Sequence, residues 1–252
     1  MQRPPRPILL SRPISEAINR VSRLHRKLAE LNLSTEQQRR LTSWIETHFV
    51  CSTLALAGAQ HERSRVATLI DSAGPETAPG SSEDRALLEL VGGLRKTLAL
   101  VQKKGGSASL TTELLFSFHI GAELRKGAGE VIHGITPIGA ERIHSSIEAA
   151  CAWFAAESFA ELNPIEQASI AYLRLLEIQP LETNPSFVAS IAASFFTLRA
   201  GLPPIILEPD QVVSYGRALE EGARMNTQPM VELVAVALER TLTEMIELMA
   251  DG

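Results

Sequence analysis

The chain is short of several features that would settle its class at once. It has two cysteines in 252 residues, Cys51 and Cys151, far apart and outside any metal-like spacing. That excludes a disulfide framework and a Cys-based metal site, and it fits two buried thiols in a reducing compartment. No apolar run approaches the roughly 20 residues that span a bilayer. Basic charge is not in surplus: the net charge is −5 and the pI about 5.7, so nucleic acid and anionic membrane are not expected as partners. Strand-like alternation is almost missing, being confined to VIHGITPI at 131–138. Internal repeats are absent, and low complexity is limited to the loops DSAGPETAPGSSED and KKGGSAS. The opening MQRPPRPILLSRP has no long apolar stretch or small-residue cleavage site, so residues 1–13 are expected to form an extended arm rather than a signal peptide.

Helical signals fill the rest. Ile14, Ile18, Val21, Leu24, Leu28 and Leu31 share one stripe. Ser34-x-x-Gln37 has the form of a capping box opening a second helix through Trp44 and Phe49 to about Leu56. A third short helix covers roughly 62–72, and a fourth continues from Asp84 with Gly92-Gly93 as a weak point. His119 lies between apolar residues of the next block, as a satisfied core histidine would. The organising stretch is Asn163–Leu207. Asn163, Pro164 and Glu166 make a helix start, and Gln179-Pro180 stops that helix. Asn184 and Pro185 open another, which Gly201 and prolines 203 and 204 close. Between its caps, FVASIAASFFTLRA has no polar face, which marks a helix buried on all sides.

The phrases QPLETNPSFVAS and TLRAGLPPIIL resemble the Fic domain family. Its helix–loop–helix carries H-P-F-x-x-G-N-G-R-x-x-R, and the second helix commonly ends in a phrase such as L-L-R-A-G-x-P-P-I. Pro180 falls on the family's proline and LRAGLPP follows at the family distance. The resemblance implies an all-α fold: a Fic-type helical core at 106–252, a small β-hairpin flap and a helical N-terminal lobe at 14–105. In the family the loop histidine takes a proton from a target hydroxyl attacking the α-phosphate of ATP. The glycine-rich turn and helix N-terminus hold the phosphates, an acidic residue holds Mg²⁺, and two arginines neutralise charge.

Here the functional letters differ. Gln179 stands in the histidine's place and has no titratable group, which removes a base worth about 10²–10⁴ in rate. Glu182 and Thr183 occupy the acidic residue's neighbourhood. Asn184, Pro185 and Ser186 replace Gly-Asn-Gly, with Pro185 short of one N–H, while Phe187 and Ser190 replace the arginines. Phe187 is expected to be buried with the phosphate cavity closed over it, and Leu181 to fill the adjacent apolar slot. Val131, Ile132, His133 and Gly134 fall on the family's flap, where Lys126-Gly127-Ala128-Gly129 stands in place of the usual approach phrase. His133, alone on a short hairpin, is a weak substitute base. The family's inhibitory S/T-x-x-x-E-G/N has its counterpart in TLALAG, with Thr53, Ala57 in the glutamate's position, and Gly58.

The resemblance therefore implies a degenerate nucleotidyltransferase site. The expected molecule binds no ATP or Mg²⁺, holds no metal, partners a protein, can form homo-oligomers, and resides in the cytoplasm. A second reading keeps it active, with rewired chemistry moving a nucleotide or other phosphodiester donor to a protein hydroxyl through Thr183 and Ser186.

Overall fold

The computed structural model describes residues 12–72, 81–118, 124–181 and 185–250. His119, Glu182, Thr183, Asn184 and the N-terminal arm before residue 12 lie outside them. Eleven α-helices run in order among the described residues: α1 (Arg12–Ala29), α2 (Thr35–Leu56), α3 (Arg63–Ser72), α4 (Ser82–Lys104), α5 (Thr112–Ser117), α6 (Ile143–Phe154), α7 (Glu157–Ala160), α8 (Pro164–Ile178), α9 (Pro185–Arg199), α10 (Val212–Ala223) and α11 (Gln228–Ala250). None is long and apolar enough to cross a membrane.

The caps read from the sequence set the helix limits. Ser34 closes a reciprocal box with Gln37 at the head of α2. Asn163 Oδ1 accepts from Ile165 N at 2.9 Å while Glu166 reaches back to Asn163 N at 3.1 Å. Each satisfies backbone N–H groups that a helix start leaves unpaired.

α9 is the hub. Every residue from Phe187 to Leu198 is buried, with α8, α4 and α2 packed around it. Gly93 explains the glycine pair in α4: a Cβ there would lie 2.6 Å from Ile191 Cδ1, so this crossing closes only over a hydrogen. Around Phe196, the rings of Phe154, Phe159 and Phe195 pack edge-on or tilted, and the Arg199 guanidinium covers Phe195 and Phe196. The buried apolar side chains join in one core from Ile14 to Met249.

Ion pairs fasten the outer helices to this core. Arg20 of α1 grips Glu239 of α11 through Nε, at 2.8 and 2.9 Å. Arg95 of α4 makes a two-pronged contact with buried Glu46 of α2 at 2.7 Å. Arg63 of α3 reaches Glu208 at 2.7 Å.

The flap expected at 131–138 forms one turn and no strand. Ile132 and Ile135 exchange both backbone bonds, 3.2 and 2.9 Å. The two residues between them, His133 (φ 46°) and Gly134 (φ 82°), have the positive φ that a two-residue hairpin turn requires. The next hydrogen-bonded pair in such a ladder is Glu130 with Pro137. Pro137 has no N–H to give, so the ladder stops after one rung.

Candidate functional site

Gln179 takes over where that ladder fails. It ends α8 in the left-handed conformation, φ 45°, which turns its side chain toward the flap. The amide oxygen accepts from Glu130 N at 2.9 Å, and the amide nitrogen donates to Glu130 O at 2.5 Å. A primary amide thus plays the part of a neighbouring strand's peptide group, and Gln179 is 2% exposed. Gly129 has to be glycine beside it, because a Cβ there would collide with the Gln179 amide oxygen and lie 2.7 Å from Pro137.

Arg125 completes the attachment. Its backbone N–H donates to Pro180 O at 3.1 Å, and Leu124 bridges Leu181. Its guanidinium is buried and donates to four carbonyls: Gln179 O (3.0 Å), Gly127 O (2.6 Å), Ile138 O (2.6 Å) and Ile178 O (3.3 Å). Two of these belong to the C-terminal end of α8, where helix carbonyls lack intrahelical partners and a cation is favourable. At the far end of the flap, Ile138 N donates to Glu177 O at 3.0 Å. Segment 125–138 is therefore bound to α8 at its start, middle and end.

Between this loop and the head of α9 lies a cleft of about 700 Å³. Gln179, Pro185, Ser186 and the flap residues Val131, Ile132 and His133 line it, and Leu56 and Ala57 close its other side. Ala57 caps α2, and Gly58 follows at φ 85°. The helix end carrying TLALAG is thus brought to the cleft, while Thr53 is buried. Phe187 is buried at 8% exposure and Leu181 at 2%, as the sequence led us to expect. The expected closure of the cavity does not follow. Phe187 sits in the core and is not among the cleft's lining, so burying it leaves the space open.

Beneath the cleft is a neutral hydroxyl cluster. The Tyr172 and Tyr215 hydroxyls are 2.8 Å apart and buried. Ser186 and Ser190, on the first two turns of α9, lie beside Tyr172, and Ser186 also beside Tyr215. Burial, then the neighbouring Tyr215, pushes the Tyr172 phenol well above its ordinary range. Burial likewise raises Tyr215. Both stay protonated across the physiological range. Above them the His133 ring meets Tyr215 edge-on, 6.3 Å between centroids. It also lies over Gly216, where a Cβ would be 2.9 Å from His133 Cε1.

Among the described residues, the structure gathers Gln179, Pro185, Ser186, Ala57 and the flap positions at one cleft and withdraws Phe187 from it. Sequence reasoning passed over Arg125, Tyr172 and Tyr215. Arg125 had no local signal, because three of its four carbonyl partners lie 13 or more positions away. The tyrosines had none, since each acts through a residue distant in the chain.

Fold and site together define a helical protein in which a cleft opens where two central helices meet a loop tied to the first of them. No protein-family model matches the chain. It is 26% identical over 111 residues to the protein adenylyltransferase fic-1 of Caenorhabditis elegans, a stretch covering 44% of this chain and 22% of that protein. It is 27% identical over 90 residues to the protein adenylyltransferase Fic of Drosophila virilis, covering 36% and 19%. The matched stretches thus span about a fifth of these relatives' length. The solved Fic-1 structure from C. elegans superposes with a TM-score of 0.76 at 21% identity, over 94% of this chain and 74% of that one. A Fic-domain-containing signalling protein from Bacteroides thetaiotaomicron gives 0.74 at 18% identity, over 95% and 97%. The fold is the all-α Fic fold, and over the matched stretches the sequence is similar to Fic adenylyltransferases.

Proposed function

We propose that this Fic-fold protein does not transfer nucleotidyl groups and acts by binding another polypeptide. The relatives are named for adenylyl transfer; this chain keeps their architecture and uses the key position for something else. The observation that carries the reading is the double hydrogen bond between the Gln179 amide and the backbone of Glu130. A residue in the general base's position that cannot titrate, and whose polar atoms are occupied by the flap, has no means of accepting a proton from a substrate hydroxyl.

The residues present also fit ATP–Mg²⁺ poorly. Arg125 is the one arginine or lysine in the described lining, and its donors are taken up by four carbonyls. Where phosphate would need cations the described lining offers the Ser186 hydroxyl, and Pro185 offers no N–H. We place the protein in the cytosol, where Cys51 and Cys151 remain free thiols.

The test is incubation with labelled ATP, GTP, UTP or CTP and Mg²⁺, alone and with cell lysate, alongside a thermal-shift screen of the same nucleotides. We expect no covalent label and no rise in melting temperature, since a ligand preferring the native state would raise it. The same result is expected of Gln179→His, because the flap and the cation-free floor remain. Transfer to a Tyr, Thr or Ser by either protein would return the chain to the active transferases.

A further inference from the structure

We propose that the outer face of α10 is a self-association surface, which pairs antiparallel with the same face of a second copy of this chain. Large apolar side chains exposed among the described residues are Leu124, Val131, Val212, Val213, Met225 and Val236. Four of the six lie on the flap or at the two ends of α10. Val213 is 80% and Met225 90% exposed, well beyond what a helix packed on a core needs to leave in water. The flap tip is seated on the same helix: His133 lies against Gly216, and a Cβ on Gly134 would just touch Ala223 at 3.8 Å. Flap and helix therefore present one continuous surface.

The charges on this face fit its own copy. Val213, Arg217, Glu220 and Arg224 follow one another at three- and four-residue spacing, so they share the solvent side, and all four are exposed. Arg224 is paired with Glu221. Arg217 and Glu220 make no ion pair or hydrogen bond within the described residues; Arg217 acts only through space on Glu221. Two copies of α10 laid antiparallel about a two-fold axis at the height of 218–219 bring Arg217 level with Glu220 of the second copy, and the reverse. The same register sets Val213 against the aliphatic stem of the second copy's Arg224. A two-fold interface has this property, residue i meeting j while j meets i, and Arg217 and Glu220, opposite in charge and equally distant from one point, satisfy it. One helix face and a loop tip make a small contact, so the dimer is weak and concentration-dependent. The pairing holds whether or not the cleft is catalytic.

Sedimentation equilibrium on the full chain tests it, with Arg217→Glu, Glu220→Arg and the double exchange. The wild type is expected to associate to a dimer with a Kd between about 10 μM and 1 mM. Each single reversal replaces two attractions by two repulsions and should weaken association by at least about tenfold. The double exchange should restore it to within about threefold. Because neither side chain is bonded within the described residues, all variants should keep the wild-type circular dichroism spectrum. A wild type that stays monomeric to about 1 mM, reversals without effect, or a double exchange that fails to restore would each overturn the proposal.

Discussion

Replacing Gln179 by glutamate changes one NH₂ into one oxygen and isolates the contact that joins the end of α8 to the flap. The introduced carboxylate can still accept from Glu130 N, but it faces Glu130 O with no proton between them. Both groups lie in a site where residue 179 is 2% exposed. A buried acceptor deprived of its donor costs about 1–3 kcal/mol, and more when its new neighbour is charged. We therefore expect Gln179→Glu to lose about 2–4 kcal/mol at pH 7. For a chain of this length each kcal/mol moves the midpoint by about 2–4 °C, a drop of about 5–15 °C in all. The sign of the pH dependence follows. Protonation restores the missing donor, so the introduced carboxyl has a folded pKa above the unfolded value of about 4.3. The stability it retains is present below that unfolded value and disappears as pH rises through the folded one. Urea unfolding of wild type and variant, measured at intervals from pH 4 to 8, should show a gap that is small at the acid end and widens to its full size by neutrality. Gln179→Ala loses both bonds and should show a gap of about 1–3 kcal/mol that does not vary with pH. A Gln179→Glu variant as stable as wild type at pH 7, or destabilised equally at every pH, would refute the double hydrogen bond.

Other substitutions probe the remaining parts. Phe187→Arg removes about 1.5–3 kcal/mol of apolar burial and places a charge in the core without a partner, so denaturation should show a loss of at least that size. Arg125→Met leaves two α8 carbonyls and two flap carbonyls without their donor. It should cost about 3–5 kcal/mol and speed amide exchange at Glu130 and Ile138. Tyr215→Phe removes one buried hydroxyl contact with Tyr172 and should cost about 0.5–1.5 kcal/mol by urea unfolding.

The helices were legible because their ends are written locally. Ser34 with Gln37, and Asn163 with Pro164 and Glu166, specify where α2 and α8 begin without reference to anything distant. The all-apolar run after Pro185 announced a fully buried helix, and α9 is one. The flap was legible as a turn but not as a single rung, because Pro137 lacks the N–H of the second rung and the partner that Glu130 takes instead is a glutamine 49 positions further along the chain. Gln179 itself was legible as the residue that ends α8. Its gain of a structural partner was not, since an amide that mimics a strand is visible only when the flap lies beside it. Phe187 was rightly taken as buried. The inference from that burial to a closed cavity failed because the ring had a core to enter.

The binding of the flap at its start, middle and end has a mechanical meaning. By composition 125–138 is surface loop, yet its donors and acceptors are shared with the last turn of α8. Widening the mouth of the cleft therefore unwinds a helix end that is packed directly on α9. A partner that wedges the loop outward works against the centre of the molecule, whereas one that accepts the cleft at its resting width meets no such resistance. The opening is held as a fixed gauge rather than a hinged door.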